Sequence, residues 1–224
     1  MIPNIIHYCW FGPNKIDTLG LKCIESWKKH CPDFKFNLIN EQSFNVNSSE
    51  FSKSAYENKK FAFVSDFSRL KFLYEYGGIY LDTDMLVIKS LNSLLNNNCF
   101  LGWESSFYVN ASIIGTIPGH PFIKKILDRY DTLIYNNNQL NGFTIPKIIT
   151  DEIKSNEVEN IKLYEPDYFY PYSWEDSLNK HSLKEIMKFS NKNTYAIHLW
   201  NGSWHKSVNN LNLFQKIINK LKFK

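Results

Sequence analysis

The chain opens on an unbroken apolar and aromatic run, Ile5 to Phe11, closed by Gly12-Pro13. A strand buried on both faces ends at a loop in this way, so the run predicts the first, central strand of a sheet. Asp17 then predicts a helix cap, with Leu19, Cys23 and Trp27 recurring at helical spacing and Pro32 just past the stop. Phe34, Phe36 and Leu38 alternate, which predicts a second strand. Strand, helix, strand is the beginning of an α/β fold.

From Ala62 to Tyr76, the residues Phe63, Phe67, Leu70 and Tyr74 fall on one helical face, and Gly77-Gly78 supply the left-handed residues that end the helix. Ile79-Tyr80-Leu81 reads as a short strand that runs into Asp82-Thr83-Asp84, and Met85 to Ile88 resumes the apolar stretch. The acidic pair therefore interrupts a strand at its exit. Phe100 to Trp103 and Ser112 to Ile117 read as further strands, and Pro121 opens a helix carrying Phe122, Ile126, Tyr130 and Leu133. Asn136 to Pro171 is Asn-rich and weakly periodic, Tyr195 to Trp200 reads as a last strand, and Leu211 to Phe223 as a last helix. No internal repeat is visible.

Composition narrows this picture. The 224 residues suffice for one core without disulfides, and 43% hydrophobic with 16% aromatic residues describes a folded globular chain with rings to spare for binding surfaces. A net charge of +4, with lysines scattered except near the end, does not demand nucleic acid. Cys9, Cys23, Cys31 and Cys99 form no CxxC pair and have no companion histidine at zinc spacing, so they read as reduced, mostly buried thiols. The N-terminus carries no basic region followed by an apolar stretch, and no run of about 18 apolar residues could span a bilayer, so the expected location is cytoplasmic.

Candidate chemistry gathers around Asp82-Thr83-Asp84. Two carboxylates one residue apart point the same way if the segment is extended, and can then share one cation. A few hard oxygen ligands suit Mg²⁺ or Mn²⁺ that also coordinates phosphate oxygens. A bare D-x-D is common by chance and by itself reads as a solvated turn. Asp66 and Arg69, three apart on the preceding helix, can present a carboxylate and a guanidinium together, or form an ordinary intrahelical ion pair.

The blocks Phe63-Val64-Ser65-Asp66-Phe67-Ser68-Arg69 and Leu73 to Asp84 resemble the signature of the DXD-containing sugar transferases, glycosyltransferase family 32. The resemblance extends to Ile2 through Gly12, to Ser26-Trp27-Lys28-Lys29, to Asn110-Ala111, and to His198-Leu199-Trp200-Asn201-Gly202-Ser203-Trp204. About Asn136 to Asn193 is poorly covered. The clostridial toxin glucosyltransferase domains share the core pattern but are much larger.

The resemblance implies a single GT-A type α/β domain over 1–224, with a mixed central sheet flanked by helices. Residues 1–110 would form the nucleotide-sugar half, and 111–224 the acceptor-side half with a C-terminal lid and helix. It implies retaining transfer from a nucleoside-diphosphate sugar, UDP-linked by preference, with Mn²⁺ or Mg²⁺. By position, Asp84 would bind the metal directly, Asp82 would contact ribose or a metal-bound water, and His198 would be a third ligand. The alternative for His198 is a satisfied buried histidine. Asp66 and Arg69 would hold donor sugar hydroxyls and help place the phosphates, and Trp10 would stack on the base. For Tyr8, on the same strand face as Trp10, a core role and a base contact stand open, as do a sugar contact and a turn role for Asn110. Ser203 and Trp204 would belong to a lid stabilising the departing diphosphate.

The acceptor expected is a glycan or lipid-linked glycan of a bacterial surface polysaccharide such as capsule or lipopolysaccharide. Leu211, Phe214, Ile217, Ile218 and Leu221 with nearby lysines admit a peripheral contact with an anionic inner membrane face, against plain core packing of that helix. Rival classes are a non-catalytic nucleotide-sugar or carbohydrate binder, a toxin-like protein glycosyltransferase, and a phosphoryl or nucleotidyl transferase. No phosphate-cradling Gly-rich loop or Walker-type lysine supports the last of these.

Overall fold

A computed structural model describes residues 1–133, 144–155, 159–179 and 181–202. Ser203, Trp204 and the helix expected over Leu211 to Phe223, with its membrane-facing stripe, lie outside the described residues.

The elements appear in the order β1 (Ile5–Cys9), α1 (Thr18–His30), β2 (Lys35–Ile39), α2 (Glu50–Glu57), α3 (Phe61–Tyr76), β3 (Gly78–Leu81), β4 (Met85–Val87), β5 (Cys99–Trp103), β6 (Val109–Thr116), α4 (Pro121–Asp131), α5 (Ile145–Ser155), β7 (Ile161–Tyr164), α6 (Pro166–Phe169), α7 (Trp174–Ser177), α8 (Leu183–Ile186) and β8 (Ala196–His198). Six strands form one mixed sheet in the order β2-β1-β3-β6-β5-β7, and β4 pairs with β8 in a separate ribbon. Strand β1 is thus interior but one place from the edge, not central. The last strand, read over Tyr195 to Trp200, leaves the main sheet and joins β4.

Alternation along the strands feeds two cores. In β3, Tyr80 faces a cluster with Phe51, Phe67 and Tyr130 from α2, α3 and α4. Its neighbours Ile79 and Leu81 face a second cluster with Trp27 of α1 and Phe169 of α6. Helix α1 starts where Asp17 accepts the Gly20 N–H at 2.9 Å, and it buries Cys23, Ile24 and Trp27. The Trp27 indole N–H donates to the Met85 carbonyl at 2.6 Å, fastening the ribbon to the helix. All four cysteines are free and buried, as the spacing predicted.

Helix α3 stops at Gly77, whose φ of 63° and N–H to the Leu73 carbonyl at 3.0 Å form its cap, and Gly78 follows at φ 103°. A Cβ on Gly78 would lie 2.8 Å from the Ile5 carbonyl oxygen, so this turn needs glycine. His7 is buried and hydrogen-bonds the Gly77 carbonyl and Asn37, which gives it a structural role.

Besides the one-turn helices α6, α7 and α8, three elements escaped the sequence pattern. Helix α2 is capped by Ser49 but buries only Phe51, Ser52 and Ala55, too few apolar positions for a stripe. In the Asn-rich stretch, α5 buries Ile145, Ile148, Ile149 and Glu152 at helical spacing, and β7 adds an edge strand parallel to β5. Polar neighbours diluted both signals.

Candidate functional site

Strands β1, β2, β3, β5 and β7 all run parallel, and only β6 runs against them. Their C-terminal ends therefore share one edge, the place where open α/β sheets bind ligands. Trp10, Asp82 and Glu104 each follow such an end, and Asn110 lies near the start of β6 at the same edge.

The acidic pair does not converge by strand alternation. Residues 82–84 form a turn, closed by the Met85 N–H to the Asp82 carbonyl at 3.0 Å, and that turn carries the chain from the main sheet to the ribbon. Each carboxylate is then aimed by its own anchors. Asp82 accepts the Tyr80 hydroxyl at 2.7 Å and lies 3.3 Å from Arg69 Nη1. Asp84 accepts the Asn201 backbone N–H at 2.9 Å, and its carbonyl accepts the Leu199 N–H at 3.0 Å. The ribbon register sets Met85 opposite His198, which brings His198 Nε2 to 3.3 Å from Asp84 Oδ1.

Asp82, Asp84 and His198 offer ligand atoms that all lie within 4.8 Å of one another. Two carboxylates and an imidazole make a donor set that fits a divalent cation, with Asp82 on the more open side. Burial alone would raise the Asp84 carboxyl, but His198 and the Asn201 N–H hold it below the usual carboxylate range. Burial opposes the charge on His198 too, and Asp84 overcomes it, raising the imidazole. Trp200 lies against His198 with ring centroids 4.1 Å apart, and Tyr170 meets it edge-on at 6.0 Å. Trp200 itself holds φ at 53°, a left-handed conformation rare for a bulky residue, and its indole N–H donates to the Tyr172 carbonyl at 2.8 Å.

Behind Asp82 sits a buried cation. Arg69 pairs with Asp66 at 3.1 Å as well as with Asp82, and donates to the Ala111 carbonyl at 2.9 Å, the Ser65 carbonyl at 3.2 Å and the Ser65 hydroxyl at 3.1 Å. Its guanidinium lies 4.2 Å above the Tyr80 ring. The ordinary i,i+3 pair is present, but the same arginine also joins α3 to the DXD turn.

Burial pushes the Asp66 carboxyl up to about 7, with Arg69 pulling it down and Asp82 adding to the rise. The folded protein thus holds a proton that the unfolded chain releases near 3.8, so the stability this group contributes is complete below that value and lost as pH rises through about 7. Thermal melts should show wild type losing stability relative to Asp66→Asn from about pH 4 to about pH 7, with a constant difference beyond. An offset that does not change across the window would contradict the assignment.

The remaining candidates separate. Trp10 is half-buried past the end of β1, and its indole N–H donates to the Asn14 carbonyl at 2.6 Å. Tyr8 packs edge-on against Trp27 at 5.5 Å, alongside the core. Asn110 is buried, with its carbonyl oxygen accepting the Ser112 N–H at 2.7 Å and its amide donating to Glu104. Sequence reading missed Glu104, Tyr80, Trp200 and Asn201. Glu104 had a legible signal, since it follows an apolar strand directly, as Asp82 does.

Two family models match. Residues 19–101 match a glycosyltransferase sugar-binding region containing the DXD motif, and residues 116–220 match an alpha 1,4-glycosyltransferase conserved region. Human lactosylceramide 4-alpha-galactosyltransferase is 29% identical over 154 residues, covering 62% of this chain and 41% of that protein. Human alpha-1,4-N-acetylglucosaminyltransferase is 29% identical over 149 residues, covering 61% of this chain and 42% of that protein. The match thus spans about two fifths of the length of these relatives. The galactosyltransferase LgtC, solved with donor and acceptor sugar analogs, superimposes with a TM-score of 0.51 at 12% identity, covering 88% of this chain and 87% of that one. The fold is GT-A. The mixed sheet and flanking helices expected from the resemblance are those observed.

Proposed function

We propose that this chain is a retaining glycosyltransferase of the family-32 type, moving a hexose or N-acetylhexosamine from a UDP-sugar to a hydroxyl of a glycan or lipid-linked glycan. The observation that carries the reading is the convergence of Asp82, Asp84 and His198 at the edge where the parallel strands end. The two glycosyltransferase family models and the relatives support the same chemistry.

Asp82, Asp84 and His198 would hold Mn²⁺ or Mg²⁺, which when bound neutralises charge on a diphosphate. The chain's own residues do the positioning. Arg69 and Tyr80 fix Asp82 from behind, while Trp200 and Asn201 brace the other two ligands. Trp10, at the same edge, is suited to stack on the base, and Asp66 to accept donor sugar hydroxyls. Ser203 and Trp204 are assigned to the lid by position alone. The bond from C1 to the phosphate oxygen breaks with its electron pair on the leaving diphosphate, and the acceptor oxygen bonds C1 from the same face.

The acceptor we favour is a surface polysaccharide or its lipid-linked precursor, assembled at the inner face of a membrane. A glycolipid acceptor is named for one relative, and among the described residues no helix is long and apolar enough to cross a membrane.

The test is a panel of UDP-galactose, UDP-glucose, UDP-N-acetylglucosamine and UDP-N-acetylgalactosamine with Mn²⁺, followed by thermal shift and by release of UDP. At least one donor should stabilise the protein and be hydrolysed slowly, and a chelator should abolish both effects. Stabilisation without hydrolysis or transfer would favour a non-catalytic binder. No response to any nucleotide sugar would sink the proposal.

A further inference from the structure

Glu104 is a carboxylate that the donor chemistry above does not use. It is the first residue beyond β5, whereas Asp82 is the first beyond β3, and β3 and β5 are separated in the sheet only by β6. At a spacing of about 4.8 Å per strand, the two strand ends lie roughly 10 Å apart on one edge. Asn110 stands in that gap. Its amide oxygen is pinned by the Ser112 N–H and hydroxyl, so its NH₂ group can only point to Glu104 Oε2.

The residues on either side of Glu104 open a second feature. Trp103, Ser105 and Ser106 bound a cavity of about 280 Å³ with Glu165 and Pro166, which follow the end of β7 at the same sheet edge. An aromatic face beside hydroxyls and a carboxylate is the chemistry that holds a sugar ring, apolar on one side and hydroxylated at the rim. Phe107 in the same loop is 66% exposed.

We propose that the β5–β6 corner is the acceptor subsite: a sugar seats over the strand ends, held in the cavity between Trp103 and Glu165, and its attacking hydroxyl reaches across the end of β5 to Glu104. This rests on the glycosyltransferase reading above. As the acceptor oxygen bonds C1 and the diphosphate leaves with its electron pair, the hydroxyl proton passes to the Glu104 carboxylate and from there to solvent. Asn110 is a positioning residue that orients the carboxylate.

The experiment uses Glu104→Gln, which keeps the Asn110 contact, and Glu165→Ala, an exposed change with little risk to folding. Sugar binding is read by saturation-transfer NMR with lactose, methyl β-galactoside and N-acetyllactosamine in the presence of Mn²⁺ and UDP. Turnover is read as donor hydrolysis without acceptor and as transfer to whichever sugar binds. Wild type should bind at least one sugar. Glu104→Gln should lower transfer on the order of 100-fold while hydrolysis falls less than about tenfold and UDP binding is unchanged. Glu165→Ala should raise the acceptor KM several-fold with the donor KM unchanged. The inference is overturned if no sugar binds wild type, if Glu104→Gln transfers normally, or if it loses UDP binding together with transfer. A glycosyl azide formed by Glu104→Ala in azide would make Glu104 the nucleophile and overturn it as well. Failure of the glycosyltransferase reading is distinguishable, because wild type would then neither bind UDP with Mn²⁺ nor hydrolyse any donor.

Discussion

Replacing Asp84 by alanine is expected to lower kcat/KM on the order of 1,000-fold and to remove the Mn²⁺-dependent part of nucleotide binding. The size follows from what Asp84 does locally. It lies 3.3 Å from His198, accepts the Asn201 N–H and has its carbonyl tied to Leu199, so it is the ligand that joins the turn to the last described strand. Alanine leaves two candidate ligands, one of them partly exposed, and a buried imidazole without the carboxylate it pairs with. The fold should survive, because the lost hydrogen bonds are worth about 1–3 kcal/mol and the β4–β8 ladder remains. Calorimetric titration with Mn²⁺ and a UDP-sugar checks the prediction. Unchanged metal affinity and turnover in a folded Asp84→Ala protein would remove the metal assignment.

Arg69→Met should have the largest effect on stability. Arg69 is 5% exposed and neutralises Asp66 and Asp82 while satisfying the Ala111 and Ser65 carbonyls. Removing one partner of a buried ion pair costs about 3–5 kcal/mol, because the remaining charges are left uncompensated in low dielectric. For a chain of this size that corresponds to a fall in Tm of roughly 6–20 °C. Loss of activity should accompany it, since Asp82 would lose the charge that orients it. Arg69→Lys should rescue little, because an ammonium cannot reach two carboxylates and two carbonyls in the planar fork that arginine supplies. Circular-dichroism melts of both variants are the measurement, and a fall below about 2 °C for Arg69→Met would show that the carboxylates find other compensation.

Much of the site was legible because its residues belong to strong local signals. The DXD motif stands after a Gly-Gly helix stop and a short apolar strand, and Asp66 and Arg69 lie on a helix whose period is plain. His198 was nameable from the resemblance, and the ribbon register then placed its ring beside Asp84. What could not be read were contacts between segments far apart in the chain. Tyr80 looks like any strand aromatic until the Ser65 hydroxyl and the Asp82 carboxylate are seen to share its phenol oxygen. Glu104 looks like a polar residue after a strand until Asn110 is seen to donate to it. Helix α5 was obscured by asparagines around it, although its own isoleucines keep the helical period.

Local sequence therefore determined the strands and helices with clean periods, the glycine turn that ends α3, and the identity of the central acidic and basic residues. Backbone sterics and hydrophobic spacing act over a few residues, and a linear reading captures them. Tertiary structure alone decided that residues 82–84 turn rather than extend, that the last described strand pairs with β4 outside the main sheet, and that Arg69 ties both acidic positions together. Those outcomes depend on which buried charges and backbone groups find partners across 13 to more than 100 residues of chain. Burial makes each unpaired group costly, and only the folded arrangement shows where the partners are.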